Sequence, residues 1–292
     1  MQEEHKKDKI RIGILRGGVD DHYHSSLKKG GEFISYIFEN LSDEYKSFDI
    51  LVDKEGAWHI NGVPTEPSKL LYKVDAVWNL SQPNFSNILE SFSIPYIGFA
   101  AFSPDFWTDR EILRKHMKEI GVPMPKQIVS PKTAREVFEK FGSPWIVKNY
   151  NEIRVVKTFN ELAELINGKD GVIVEEFIAG KVASVHSVPD FRGDLPAQAG
   201  DVYTFPLGNT FGNFSTDEKE KLTNLAKDIH THLGVEHYLK SDFVLTPREK
   251  IYLLQVELTP DLKPDSHFSQ SAELAGAKMH DVIEHILERV LS

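Results

Sequence analysis

A predicted hairpin late in the chain carries three oxygen-bearing side chains that could hold a divalent cation. Asp242 lies in the apolar segment 238–245, and Gln255 and Glu257 lie in the segment 251–258. Side chains two residues apart in a strand point to the same face. Two carboxylates and an amide suit Mg²⁺, a hard cation that prefers oxygen ligands. The same alternation is also typical of a half-buried strand with a solvated face, so periodicity leaves both interpretations open.

Charged residues end two further apolar segments. Lys148 follows PWIV, and a lysine at a strand end could neutralise a phosphate as a point charge. Glu175 and Glu176 close GVIVEEF and could face the polar groups of a ligand. A lone lysine at such a position is more often solvated, so these residues indicate a ligand site only in combination with others.

A glycine pair follows the first apolar segment. Gly17-Gly18 ends IRIGILRGG and leads into a helical pattern, which favours an anion site at a helix N-terminus. His22 comes shortly afterwards and could act as an acid or base near neutral pH. The chain has no cysteine and no HExxH arrangement, so we predict no zinc site.

The elements that must position these residues follow from hydrophobic periodicity. The first third alternates strands and helices, which predicts a parallel sheet covered by helices. Asn61-Gly62 is a strong turn signal and predicts a hairpin at the rim of this sheet. The pattern predicts one helix over 104–120, with Ser103 as its cap and Gly121 as its stop. A small α+β unit and a closing amphipathic helix complete the prediction.

Composition limits the classes of function. The formal net charge is −10 and 40% of the residues are apolar, which is ordinary for a globular protein. The acidic balance argues against broad nucleic-acid binding, which needs a basic face. No segment approaches the roughly 20 apolar residues of a membrane-spanning helix, and the charged first residues do not resemble a secretory signal. These observations predict a cytoplasmic protein that binds neither membranes nor nucleic acid.

Several motifs occur in an order that resembles the D-alanine–D-alanine ligases of the ATP-grasp superfamily. The resemblance covers almost the whole chain. The motifs are IRIGILRGG at 10–18, IPYIGF at 94–99, PWIVK at 144–148, VEEFIAGK at 174–181, KSDF at 240–243 and LLQVELTPDLKPDS at 253–266.

This resemblance implies an α/β fold of ATP-grasp architecture with three domains. They would be an N-terminal, Rossmann-like substrate-binding domain at 1–103, a small central α+β lid at 104–181, and a C-terminal α+β catalytic domain at 182–292. The resemblance also suggests a homodimer.

The activity implied is the ATP-dependent joining of two amino acids for cell-wall precursor synthesis. A carboxylate would attack the γ-phosphate of ATP to form an acyl phosphate, and an amine would then displace phosphate. The protein would contribute positioning and charge neutralisation, with Mg²⁺ as the metal.

The resemblance also implies roles for individual residues. The family's metal positions are occupied by Asp242, Gln255 and Glu257. The positions that contact the ATP phosphates are Lys148 and Arg110, and those that hold the nucleotide are Glu175, Glu176 and Ile178. The substrate positions are Lys240 for the developing oxyanion, Ser266 for the carboxylate of the second substrate, and His22, where the family has an acid that orients the first ammonium.

Several positions depart from the family pattern. The metal positions, Glu then Asn in the family, are Gln255 then Glu257 here, and Val182 replaces the ribose-binding acid. After Lys148 the chain reads NYNEI, without the glycines and serines of the family's lid loop. The sequence therefore leaves two hypotheses, a divergent ligase and a non-catalytic binding or scaffolding relative.

Overall fold

The strands of the chain form three sheets distributed over two units. The computed structural model describes residues 8–99, 104–148, 153–167, 171–191, 201–208 and 213–292. Unit 1 comprises the described residues of Met1–Leu113, Ser184–Ser241 and Val256–Ser292, and unit 2 those of Arg114–Ala183 and Asp242–Gln255. The division into three domains remains a prediction.

Strands and helices alternate along the first part of the chain, as its periodicity predicts. The elements are β1 (Ile10–Gly17), α1 (Tyr23–Asn40), β2 (Tyr45–Val52), β3 (Trp58–Ile60), β4 (Val63–Thr65), a 3₁₀ helix (Pro67–Tyr72), β5 (Ala76–Asn79), α2 (Pro83–Ser91), β6 (Tyr96–Ile97) and α3 (Pro104–Thr108).

The first six strands form one sheet in unit 1, in the order β4-β3-β2-β1-β5-β6. β1 runs parallel to β2 and β5, and β5 runs parallel to β6. β3 and β4 form the expected antiparallel hairpin at the rim. Asn61 and Gly62 turn it with φ values of 50° and 79°, the left-handed conformations that an Asn-Gly turn adopts.

The central part of the chain builds a smaller antiparallel sheet. Its elements are α4 (Arg110–Glu119), β7 (Gln127–Val129), α5 (Ala134–Lys140), β8 (Trp145–Lys148), β9 (Ile153–Val156), α6 (Phe159–Ile166) and β10 (Ile173–Glu176). The strand order is β7-β10-β8-β9, and each pair is antiparallel. Thr158 and Glu161 form a capping box at α6, which satisfies backbone donors of its first turn.

The remaining elements include the hairpin that carries the candidate metal ligands. They are β11 (Lys181–Pro189), β12 (Val202–Thr204), α7 (Thr216–Leu233), β13 (Leu239–Leu245), β14 (Ile251–Glu257), α8 (His267–Leu274) and α9 (Met279–Leu291). The strand order of the third sheet is β12-β11-β13-β14. The boundary between the two units falls within β11, β13 and β14.

The largest apolar core of unit 1 joins amino-terminal and carboxyl-terminal elements. Ile12 and Ile14 of β1 and Phe33 of α1 belong to the same buried cluster as Ile283 and Ile286 of α9. The apolar face predicted for the closing helix is therefore a core face. Unit 2 has its own cluster, which includes Trp145 of β8 and Val174 of β10.

The prediction of one helix over 104–120 is wrong. The chain breaks at Asp109 into α3 and α4 because the Asp109 side chain accepts a hydrogen bond from the backbone N–H of Glu111 at 2.8 Å, as an N-terminal cap does. Ser103 lies outside the described residues. Gly121 ends α4 with a φ of 74°, as expected.

Three further elements were not predicted: the 3₁₀ helix, β7 and α8. Among the helices of the described ranges, none has the length and apolar character needed to cross a bilayer.

Candidate active site

Two polar contacts order the hairpin formed by β13 and β14. Gln255 Nε2 donates to Asp242 Oδ2 at 2.7 Å. Lys240 Nζ lies 3.5 Å from Glu257 Oε2. Asp242 is buried, Glu257 is half-buried and Gln255 is exposed. Of the three predicted metal positions, Asp242 and Gln255 therefore contact each other, and Glu257 contacts a lysine.

The donor set of this hairpin fits a hard divalent cation. Asp242 and Glu257 offer carboxylate oxygens, and an amide offers a carbonyl oxygen. The oxygen and nitrogen of an amide exchange by a half-turn of the terminal torsion, so Gln255 beside Asp242 could turn its oxygen towards a cation. The residues present thus suit Mg²⁺ by their chemistry.

A buried ion pair joins the ends of two strands in unit 2. Lys148 Nζ lies 2.8 Å from Glu175 Oε2, with 26% and 4% of the respective side chains exposed. Trp145 and Val147 on β8 belong to the apolar core of the unit. Lys148 is the last residue of this strand. The strands β8 and β10 pair with Lys148 opposite Ile173, so the lysine reaches diagonally to Glu175.

The other predicted nucleotide residues have more open surroundings. Glu176 Oε2 accepts from the backbone N–H of Lys126 at 3.3 Å. Ile178 is half-buried and follows β10, and Arg110 is the half-buried first residue of α4. A cation and a carboxylate are thus brought together in unit 2, and the ATP-binding roles of these residues remain predictions.

The turn after β1 opens into a cavity of about 360 Å³. Its lining includes Gly17, His22, Ser26 and Lys29. The His22 side chain is 85% exposed, whereas its carbonyl accepts from the backbone N–H of Ser26 at 2.9 Å at the start of α1. Ser26 Oγ forms hydrogen bonds with two backbone groups: it accepts from the Gly17 N–H at 3.0 Å and donates to the Leu80 carbonyl at 2.8 Å.

Ser266 performs a structural task at the start of α8. Its hydroxyl accepts from the backbone N–H of Ser269 at 3.1 Å and donates to the Asp261 carbonyl at 2.9 Å. A hydroxyl has a single proton to donate. Contact with a substrate carboxylate, as the sequence predicts, would therefore require Ser266 to release the Asp261 carbonyl.

A second cavity of unit 1, about 400 Å³ in volume, contains the Lys240–Glu257 pair. Its lining also includes His186 of β11 and Lys263. His186 is not among the site residues predicted from the sequence. No spacing motif indicates it, since the contacts that place it in the cavity join residues far apart in the chain.

Comparison with known proteins shows which proteins the chain resembles. The model of the D-ala D-ala ligase C-terminus matches residues 210–288. The D-alanine–D-alanine ligase of Clostridium botulinum (strain Eklund 17B / Type B) is 23% identical over 302 residues, which is 96% of this chain and 98% of that protein. The ligase of Aquifex aeolicus (strain VF5) is 24% identical and is covered over its full length.

The chain is thus similar to D-alanine–D-alanine ligases over nearly its full length.

Solved structures of D-alanine–D-alanine ligases share its ATP-grasp fold. The ligase from Coxiella burnetii has a TM-score of 0.73 at 15% identity, over 97% of this chain and 94% of that one. The ligase from Bacillus anthracis, solved in complex with ATP, has a TM-score of 0.70 at 22% identity, over 97% of both chains. The fold class expected from the motifs is confirmed, and so is the resemblance to D-alanine–D-alanine ligases.

The segment matched by the ligase model contains five of the predicted site residues: Lys240, Asp242, Gln255, Glu257 and Ser266. The short NYNEI sequence after Lys148, where the resemblance implies a lid loop, falls largely at 149–152, outside the described residues.

Proposed function

We propose that this chain is an ATP-dependent, ADP-forming ligase that joins the carboxylate of one amino acid to the amine of another, as D-alanine–D-alanine ligases do. The observation that carries the proposal is the pair of polar contacts on β13 and β14, Asp242 with Gln255 and Lys240 with Glu257, in a chain similar to these ligases over nearly its full length. We further propose that it acts in the cytoplasm as a homodimer, in cell-wall precursor synthesis.

In this proposal the residues of the hairpin serve the metal and the reacting carbonyl. Asp242, Gln255 and Glu257 would hold Mg²⁺, which supplies positive charge for the transferring phosphoryl group. Lys240 would stabilise the negative charge that develops on the attacked carbonyl oxygen, because an ammonium fixed near that oxygen favours the transition state over the ground state.

Nucleotide binding would fall to other residues. Lys148 and Arg110 would neutralise ATP phosphates, and Glu175, Glu176 and Ile178 would hold the nucleoside. The Lys148–Glu175 pair supports this assignment, since the buried carboxylate restricts the lysine before any phosphate arrives. His22 and Ser266 would orient the amino-acid substrates.

The alternative is a non-catalytic ATP-grasp protein that serves as a binding or scaffolding module. Gln255 in place of a carboxylate and Ser266 committed to its helix cap favour this alternative. The lack of glycine and serine in NYNEI favours it further.

The deciding experiment incubates the purified chain with Mg-ATP and D-alanine, then follows phosphate release and dipeptide formation by mass spectrometry. A ligase forms dipeptide only when ATP and Mg²⁺ are both present. Asp242→Asn should then lower turnover at least about 100-fold, because it removes a metal carboxylate, with an unchanged or raised thermal midpoint.

Asp217→Asn is the matched control, since Asp217 is exposed at the start of α7. It should retain wild-type turnover. Lack of phosphate release and of dipeptide across a panel of amino acids would instead support the scaffolding alternative.

A further inference from the structure

The 400 Å³ cavity of unit 1 contains a buried histidine with one unused ring nitrogen. His186 is 2% exposed and lines the cavity. Its Nδ1 lies 2.7 Å from the Tyr238 hydroxyl, whereas its Nε2 is buried and has no hydrogen-bond partner. A buried polar atom without a partner costs free energy, so Nε2 indicates a group that a ligand would supply.

The surroundings of His186 determine its protonation. Burial, together with the charges of Lys240 and His267, lowers the pKa of His186 to about 3, so the ring is neutral at pH 7. A phenol hydroxyl is the better donor and a neutral imidazole nitrogen the better acceptor, which favours the arrangement in which the Tyr238 O–H donates to Nδ1. In a neutral imidazole the other nitrogen then carries the proton, and Nε2–H is a donor without an acceptor.

Aromatic packing holds this donor in place. The ring of Phe268 lies 5.4 Å from that of His186 and 5.2 Å from that of Tyr238, measured between centroids. With His186 bonded to Tyr238 at one edge and packed against Phe268, the Nε2–H direction is set before a ligand binds. Preorganised donors cost little to engage.

The charge around the cavity favours an anion. Four lysines line it, Lys28, Lys29, Lys240 and Lys263, against the three carboxylates Glu32, Glu257 and Asp261. Lys240 is paired with Glu257, whereas Lys28, Lys29 and Lys263 form no ion pair with any described residue. The lining is thus net positive by one charge in a chain whose formal net charge is −10.

We propose that this cavity selects an amino acid with a second acidic group, and that the Nε2–H of His186 donates to that group. The inference rests on the proposed function and names the class of one of its two substrates. An amino acid with one carboxylate is neutral overall, whereas a dicarboxylic amino acid carries one net negative charge, which matches the excess of the lining. The ammonium groups of Lys28, Lys29 and Lys263 then attract the carboxylate to which His186 donates.

Binding to the full-length chain tests the inference without requiring turnover. Isothermal titration with Mg²⁺ and a non-hydrolysable ATP analogue present compares aspartate and glutamate with alanine, each as both enantiomers. Wild type should bind one of the dicarboxylic amino acids at least about 10-fold more tightly than alanine. His186→Phe keeps the ring and removes the donor, so it should weaken that binding about 10- to 100-fold, the range for a hydrogen bond to a charged group.

Lys263→Met provides a second variant at an exposed position that does not depend on core repacking. It should weaken dicarboxylate binding and spare alanine, while Lys219→Met on the exposed face of α7 should change neither. The inference would be overturned if the dicarboxylic amino acids bind no more tightly than alanine, or if no amino acid binds. The same holds if both cavity variants bind like wild type.

The dipeptide assay separates this inference from the proposed function. Selective dicarboxylate binding without turnover would retain the inference and reject the ligase. Turnover of alanine alone would retain the ligase and reject the inference.

Discussion

At the scale of single residues, two oppositely charged side chains are in direct contact at positions where the resemblance to the ligases implies nucleotide contacts. The Lys148–Glu175 pair joins a half-buried ammonium to a carboxylate that is 4% exposed. Removing one partner of a buried pair leaves the other charge without compensation, which is commonly more destabilising than removing both.

A double-mutant cycle tests the pair. Lys148→Met should lower the free energy of unfolding of unit 2 by about 2–4 kcal/mol, because the buried Glu175 carboxylate then loses the ammonium that lies 2.8 Å away. Adding Glu175→Gln removes the buried charge and should recover at least about half of that loss. Urea denaturation of the four proteins gives the coupling; a coupling near zero would show that the pair contributes nothing to folding.

At the scale of elements, two adjacent glycines of α1 have opposite surroundings. A Cβ on Gly30 would lie 2.5 Å from Cδ and 2.8 Å from Cβ of Arg16 in β1, whereas one on Gly31 would meet only Nη1 of Arg16, at 3.8 Å. The Arg16 side chain is also held by Asp49 of β2, at 2.7 Å from its Nε. The absence of a side chain at residue 30 is therefore what lets α1 pack on the strand that leads into the glycine turn.

Alanine at the two glycines should change stability in opposite directions. Gly30→Ala should lower the free energy of unfolding by about 1–3 kcal/mol, because the stem of Arg16 must move. Gly31→Ala has space and should raise it by about 0.5–1 kcal/mol, since glycine in a helix interior is less favourable than alanine. Thermal unfolding of both variants measures this, and equal effects would contradict the close approach.

At the scale of the whole molecule, unit 1 buries three histidines that are neutral when folded. Desolvation by burial is the largest cause for each, and it lowers the pKa of His186 to about 3 and those of His230 and His237 to about 4. The Val235 carbonyl partly opposes the shift of His230 by accepting from its ring. Near pH 6.5 and below, the unfolded chain therefore binds more protons than the folded one.

The stability of unit 1 should consequently depend on pH. A folded pKa below the unfolded value of about 6.5 means that the full stability is present above pH 6.5 and decreases as the pH falls towards the folded pKa values, about 3 for His186 and about 4 for His230 and His237. Each histidine should contribute a slope of up to about 1.4 kcal/mol per pH unit within that window. Urea unfolding at pH 7.5, 6.5 and 5.5 measures the slope.

A variant identifies the histidines as its source. His230→Gln should lower the slope by about one third, because one of three titrating groups is gone. A free energy of unfolding that stays constant or increases between pH 6.5 and 5.5 would contradict the assignment.

Local sequence was enough to predict most elements of the fold. The alternation of strands and helices, the Asn61-Gly62 turn and the stop at Gly121 are properties of neighbouring residues, and the structure has them. The break at Asp109 was missed although a capping aspartate is a local signal, because the helical periodicity on both sides of it is in phase. The ordered motifs are also local features of the sequence, and they were enough to indicate the resemblance to the ligases.

The sequence by itself determined the element order, the resemblance to the ligases and the residue types available for a metal and for phosphates. Only the tertiary structure decided which of them meet: that Gln255 donates to Asp242, that the Ser266 hydroxyl caps a helix, and that His186, 52 residues from its hydroxyl partner Tyr238, lines a cavity with Lys240. The physical reason is that such contacts depend on how strands and helices pack against each other. A hydrogen bond between distant residues leaves no periodic trace in the chain.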